Sequence, residues 1–222
     1  MLLRLGEQLD VPLRDRNALL LAAGLAPAYP EHRLGDPPLA AVADAVARLL
    51  AAYAPFPALV VDRHWELVDA NDAVALFTDG CAPALLAPPC NVLRLCLHPD
   101  GLAPRIRTLG SWRGHLLARL RHQVTATGDP QLAELLDELV AYPAPPAGPA
   151  HGPPDHAAPV VPIRLRDAHG RELAFLSTTT LFGTPGDVTV DELAIEAFLP
   201  ADDATAQALS ARPGLPPPRL TA

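Results

Sequence analysis

The chain has 222 residues, a net charge of −8 and 50% hydrophobic residues, enough for one domain or one and a half with a substantial core. Its 17 basic residues are all Arg, 27 residues are Pro, and no apolar run approaches the roughly 18 residues of a membrane span. The charged N-terminal stretch does not read as a signal peptide, and three Cys, an odd number, argue against a disulfide framework and for a reducing cytoplasm.

In chain order, residues 2–24 read as two short helices separated by Asp10-Val11-Pro12, because Pro12 disfavours helical backbone at Val11. Gly24 stands where a left-handed C-terminal cap is wanted. Asp36-Pro37 signals the next helix, with Leu39, Val42, Val46, Leu49, Leu50 and Tyr53 on one apolar face. The runs 58–63 and 66–71 read as strands joined by a turn near Arg63-His64-Trp65, so that Trp65 opens the second strand and Asn71 closes it. Ala73, Val74, Leu76 and Phe77 then turn helical until Asp79-Gly80, and five Pro break 81–104 into short helical pieces.

Ser111 is placed to cap a longer helix carrying Trp112, Leu116, Leu120 and Val124 at intervals of four. Asp129-Pro130 starts another, lined by Leu132, Leu135, Leu136 and Leu139. Seven Pro in 142–159 predict a long loop. Three strands follow at 160–166, 172–182 and 192–199. The last alternates, with Leu193, Ile195 and Ala197 opposite Glu192, Ala194, Glu196 and Phe198. Residues 211–222 hold four more Pro and read as a frayed tail. The order of elements is α+β. If the two early and three late strands form one sheet, the helices of 72–140 stack on one face, and a ligand fits in the space between.

Charge is uneven: residues 1–128 balance twelve Arg against twelve acids, whereas 129–222 carry the whole excess of −8. The acid-free stretch holding Arg105, Arg107, Arg113, Arg119 and Arg121 reads as a solvated helix face or a phosphate-binding stripe. Enzyme motifs such as GxSxG, HExxH, GxGxxG and CxxC are absent. Cys90, Cys96 and His98 fit no standard zinc spacing and read as core. Asp62 and His64, two apart on a strand, read as a surface pair. No catalytic and no metal residue is assigned.

Residues 3–30 resemble the end of a Cro/repressor-type helix-turn-helix domain of the XRE family. Residues 58–71, 91–98, the helix from Trp112, Tyr142-Pro143, the terminal strands and 199–205 together resemble the MmyB-like transcription regulator ligand-binding domain. The resemblance implies a PAS-like five-stranded antiparallel sheet with helices packed on one face. It divides the chain into a helix-turn-helix remnant (1–30), a linker helix (31–57), a ligand-binding domain (58–205) and a Pro-rich tail (206–222). It implies a DNA-reading domain whose first helices are missing here, so that DNA is reached only through that absent part, and a fatty-acid-like ligand in place of a cofactor. Trp65, Asn71, Asn91 and Arg94 match family-typical positions.

On this reading a small apolar molecule lies between sheet and helices. Val60, Leu67, Phe77 and Leu93 are expected to line it from the first half of the fold. Trp112, Leu116 and Leu120 come from the long helix, and Phe175, Ser177 and Thr179 from the fourth strand. Arg94, Asn71 or Asn91 are the candidates to orient a head group. A homodimer is expected. The alternatives are an interaction module without ligand, an enzyme using Asp62, His64 or His98, and a Pro-rich segment docking an SH3-like partner.

Overall fold

The computed structural model describes residues 1–143 and 161–211; most of the Pro-rich loop and the tail expected from the sequence lie outside these residues. Helices α1 (Leu2–Gln8) and α2 (Leu13–Ala22) are followed by a 3₁₀ turn and α3 (Ala40–Tyr53). Strands β1 (Ala58–Val61) and β2 (Leu67–Ala70) form a hairpin, and three short helices, α4 (Ala75–Thr78), α5 (Pro83–Leu86) and α6 (Val92–Leu97), and the long α7 (Leu109–Thr127) lead to α8 (Pro130–Ala141). Then come β3 (Ile163–Arg166), β4 (Glu172–Leu181), α9 (Val188–Glu192), β5 (Ala194–Pro200) and α10 (Asp203–Ser210).

All five strands join one antiparallel sheet in the order β2-β1-β5-β4-β3. The two distant groups of strands therefore meet at the β1–β5 pair, as the resemblance implies. Strand β1 is buried along its whole length. That is why 58–61 is continuously apolar instead of alternating: both faces of a central strand are covered.

The two faces are covered differently. On the inner face Leu59, Val61, Ile163, Leu165, Leu173 and Phe175 pack under α4, α6, α7 and α8 in the main core. On the outer face Ala58, Val60, Leu193, Ile195 and Ala197 pack against Val46 and Leu50 of α3. The apolar stripe expected on 37–53 thus finds its partner within the chain. Burying Val46 and Leu50 contributes about 1.5–3 kcal/mol each.

Local signals mostly act as their chemistry dictates. Asp129 accepts from the Gln131 N–H at 2.9 Å and starts α8, and Gly24, Gly80, Gly128 and Gly170 adopt positive φ. Three details differ. The long helix starts at Leu109 after Thr108, and the Ser111 hydroxyl donates to the Thr108 carbonyl without capping. The Asp36 carboxylate accepts from the Arg33 N–H behind it rather than from the helix ahead. Helices α9 and α10 had no sequence counterpart because five and eight residues give too few turns for a periodic signal. Gly101 is obligatory: a Cβ there would lie 2.2 Å from the Leu95 carbonyl oxygen, so the chain after α6 folds back only without a side chain.

Helices α1 and α2 stand outside the main core. Leu5, Leu9, Leu19, Leu21 and Leu25 are exposed. Only Leu13 and Leu20 of α2 are buried. No described helix is long and apolar enough to cross a membrane.

Candidate ligand-binding site

A cavity of about 80 Å³ lies between the inner face of the sheet and helices α4, α6 and α7. Both Trp residues of the chain and two of its five Phe, Phe77 and Phe198, line it. In a chain with only 5% aromatics this is a strong concentration of rings at one place. Leu59, Leu67, Leu93 and Leu116 complete the apolar wall, and Phe77 meets Phe198 edge to face at 4.8 Å.

Trp65 sits in the β1–β2 turn with φ 66°, not at the start of β2. A bulky residue in left-handed backbone costs about 1–3 kcal/mol unless the surroundings hold it. Here they do. The indole N–H donates to Gln123 Oε1 at 2.8 Å, and the Arg119 guanidinium lies 4.5 Å over the ring. Trp112, 3% exposed, donates its indole N–H to Cys96 Sγ at 3.4 Å. Part of the Cys96 surface reaches the cavity, yet its thiol is enclosed by apolar groups that push its pKa up to about 12.

One end of the cavity is polar. Glu196 of β5, 5% exposed, lies on the inner face with Leu59 opposite on one side and Thr179 on the other. Its Oε1 accepts from Arg119 Nη2 at 2.7 Å and from the Thr179 hydroxyl at 3.0 Å. His115, also on α7, lines the same end. Partial desolvation and the nearby Arg119 lower its pKa below the ordinary imidazole value.

Of the residues expected from sequence, Leu67, Phe77, Leu93, Trp112, Leu116 and Ser177 line this cavity. Thr179 stands just behind it through Glu196. Val60 does not: alternation along β1 turns it to the outer face, against α3, and Leu59 takes the inner position. Leu120 and Phe175 are fully buried in the main core and fill space away from the cavity wall. The three candidate head-group residues are used elsewhere. Asn71 accepts from the Ala58 N–H and donates to the Leu50 and Phe56 carbonyls, tying α3 to β1. Asn91 caps α6 through the Leu93 and Arg94 N–H groups and donates to the His64 carbonyl. Arg94 forms a bidentate pair with Glu138 of α8 at 2.7–2.8 Å.

In the Arg-rich stretch Arg107 and Arg121 are exposed, as a solvated face requires, while the other three are engaged within the fold. Arg105 donates to three backbone carbonyls, Arg113 closes the C-terminus of α8, and Arg119 pairs with Glu196. Asp62 and His64 are turn residues rather than strand neighbours: Asp62 accepts from the His64 and Glu66 N–H groups, and His64 reaches Asp129 at 3.0 Å. Among the described residues no three His, Cys, Asp or Glu side chains cluster as a metal site.

Sequence reasoning missed Glu196, Arg119 and His115 as a group. The signal was present in the alternation of 192–199, which already placed Glu196 on one face with Ala194 and Phe198. An acid on an apolar strand face requires a partner, and the partner stood in the Arg-rich helix.

A second polar cluster joins α2 to the sheet. Arg14 donates to Glu192 at 2.6 and 2.9 Å, and Asp191 accepts from the Leu13 N–H at 2.8 Å at the start of α2. Arg63 in the β1–β2 turn bridges Glu192 at 3.6 Å and Asp129 at 2.9 Å. Burial opposes the ionisation of Asp129, but bonds from His64 and the Gln131 N–H hold its carboxyl below the ordinary range.

A curled antiparallel sheet roofed by helices, with an aromatic-lined cavity between the layers, is the build of a small-molecule-binding domain. The family model for the MmyB-like transcription regulator ligand binding domain matches residues 42–211, and the chain belongs to that family. The family is one of regulator domains, not of enzymes, and its match takes in most of α3 as well as the sheet and α10. No curated protein matches the chain.

Proposed function

We propose that this chain senses a small apolar molecule, fatty-acid-like in its hydrophobic body, and passes its presence to the N-terminal helices of a transcription regulator. The observation that carries this reading is the cavity between sheet and α7, where both Trp and two Phe converge. At about 80 Å³ it is smaller than the roughly 300–1,000 Å³ of ordinary ligand pockets. Entry therefore requires α7 and the sheet to part, and a ligand that binds only the parted arrangement shifts the population toward it. Each methylene it buries contributes about 0.8 kcal/mol.

The route outward is short. Trp65 lines the cavity and shares a turn with Arg63, and Glu196 lines it four residues after Glu192 on the same segment. Arg63 and Arg14 both hold Glu192, so a shift of the turn or of β5 reaches the start of α2 directly. Native mass spectrometry and organic extraction of gently purified protein test this. An apolar molecule is recovered, or added 1-octanol quenches Trp65 and Trp112 fluorescence saturably. A protein that carries nothing and takes up nothing refutes the proposal.

A second reading, a homodimerising module, is favoured by the exposed leucines of α1 and α2. Light scattering that finds a dimer disrupted by Leu9→Glu and Leu21→Glu supports it, while a monomer at high concentration removes it.

A further inference from the structure

Just before α7 the chain runs beside β3, the edge strand of the sheet. Ile106 and Leu165 form a single antiparallel bridge, and the Arg107 N–H donates to the Arg164 carbonyl at 2.7 Å. Both bridge residues are buried. That register sets Arg105 opposite Arg166 and Arg107 opposite Arg164. Like charges directly opposed across a ladder destabilise it. The fold nevertheless gathers four guanidiniums here, in a chain whose net charge is −8.

Three of the four, Arg105, Arg107 and Arg166, line one cleft of about 380 Å³. That is within the roughly 300–1,000 Å³ of ordinary ligand sites. The cleft shares no lining residue with the aromatic cavity. Arg105 is held by the Arg166, Asp79 and Leu76 carbonyls at 3.1, 2.7 and 2.7 Å. These partners are uncharged, and they leave a further N–H on each of its terminal nitrogens. Arg107 and Arg166 are exposed. Among the described residues no carboxylate pairs with any of the three. The acids nearby are engaged elsewhere. Glu172, opposite Arg166 on β4, pairs with Arg164 at 3.3 Å. Asp167 accepts from Arg171 Nε at 2.8 Å and from the His169 and Arg171 N–H groups. Asp79 is the one lining acid without a cationic partner among the described residues, and it is exposed.

We propose that this cleft binds a phosphate dianion, free or as the ester of a small polar molecule. A guanidinium presents its N–H groups in a fork that matches two phosphate oxygens, and three such forks converge on one concavity. Arg105 is already fixed by its carbonyls, so binding costs it little side-chain freedom. An anion between the opposed arginines replaces their mutual repulsion with attraction to a common partner. A nucleic-acid backbone fits the cleft less well. It requires a broad basic face, whereas here the positive charge is confined to a hollow, and residues 129–222 carry five Arg against thirteen acids.

Isothermal titration calorimetry of the full chain tests this at low ionic strength and about pH 7.5, where a phosphate monoester is largely dianionic. The probes are inorganic phosphate, glucose 6-phosphate and glucose. Either phosphate is expected to bind saturably at one site, and glucose is expected not to bind. The tighter of the two phosphates tells the free ion from the ester. Arg107→Gln and Arg166→Gln, both at exposed positions, each weaken binding by about five- to tenfold with Tm unchanged. Asp79→Asn, which removes a negative charge from the lining, strengthens it. Failure of both phosphates to bind overturns the proposal, and so does binding that both arginine variants leave unaltered. A short DNA duplex that binds tighter than either phosphate, and is lost in the same variants, overturns the assignment to a small anion. None of these results bears on the apolar cavity.

Discussion

Two leucines one turn apart on α7 separate the cavity from the core. Leu116 lines the cavity, and Leu120 is completely buried behind it. Either Leu→Ala change removes the same carbons and leaves a void, at a cost of about 2–5 kcal/mol. For a domain of this size each kcal/mol lowers Tm by about 2–4 °C, so both variants are expected to melt about 5–15 °C below wild type. Their response to an apolar ligand differs. In Leu116→Ala the void adds to the existing cavity, and a ligand that occupies it recovers the burial of roughly three carbon groups at about 0.8 kcal/mol each, about 2 kcal/mol beyond its effect on wild type. In Leu120→Ala the void opens into packed protein and the ligand-induced rise in Tm stays that of wild type. Differential scanning calorimetry with and without saturating 1-octanol reads both quantities. An equal ligand-induced rise in the two variants refutes the assignment of Leu116 to the wall and Leu120 to the filling.

Three further outcomes are expected. Asn71→Ala leaves the Ala58 N–H and the Leu50 and Phe56 carbonyls without their partner; the loss is about 3 kcal/mol, read as a lower urea midpoint, with probe affinity unchanged because Asn71 lies off the cavity. The bond from Arg94, and then that from Tyr142, hold the Glu138 carboxyl below its ordinary range. Glu138 therefore binds its proton less readily folded than unfolded, so its contribution is full above the ordinary carboxylate range and drains away as pH falls through the folded value. Tm of wild type and Arg94→Met, compared across pH 7 to 2, should differ at neutral pH and converge in acid; a constant gap contradicts the pairing. Asp191→Asn weakens the cap on Leu13 by about 1 kcal/mol, and hydrogen exchange should quicken in α1 and α2 while the sheet keeps its protection.

The fold was legible where the chain repeats a pattern over enough residues. The stripe Trp112, Leu116, Leu120 declared α7, and the alternation of 192–199 gave the correct faces of β5. Two features hid the rest. Strand β1 is apolar at every position, so its alternation carries no sign, and Val60 rather than Leu59 was assigned to the cavity. Polar residues near a pocket also read as ligand contacts when their true partners are backbone groups distant in sequence. Asn71 binds the end of α3, Asn91 starts α6, and Arg94 meets a Glu on α8. None of these partners is visible from spacing, because each depends on which elements the sheet order brings together. Glu196 shows the converse: its face was known from sequence, while its significance appeared only when α7 placed Arg119 above it.

On the sensing role proposed above, the position of the cavity within the sheet would give a ligand there leverage on the N-terminal helices. Strand β5 lies between β1 and β4 and is the strand through which the early and late halves of the chain are joined. Its inner face carries Glu196 and Phe198 at the cavity. Its outer face carries Ile195 and Ala197 under α3, and its N-terminal flank carries Asp191 and Glu192, which hold α2. A displacement of β5 toward or away from α7 would therefore be imposed at once on α3 and α2. Interiors packed at crystal-like density do not absorb such a shift by deforming smoothly. The outer layer must instead move with the strand or release it, and the salt bridges of Arg14 and Arg63 to Glu192 are the contacts that have to break or follow. Because Arg63 also holds Asp129 at the start of α8, the same pair of arginines links the roof of the cavity to α2 from the other side. On the sensing role proposed above, a ligand that parts the two layers would act on α2 through the strand it touches and through the helices it displaces.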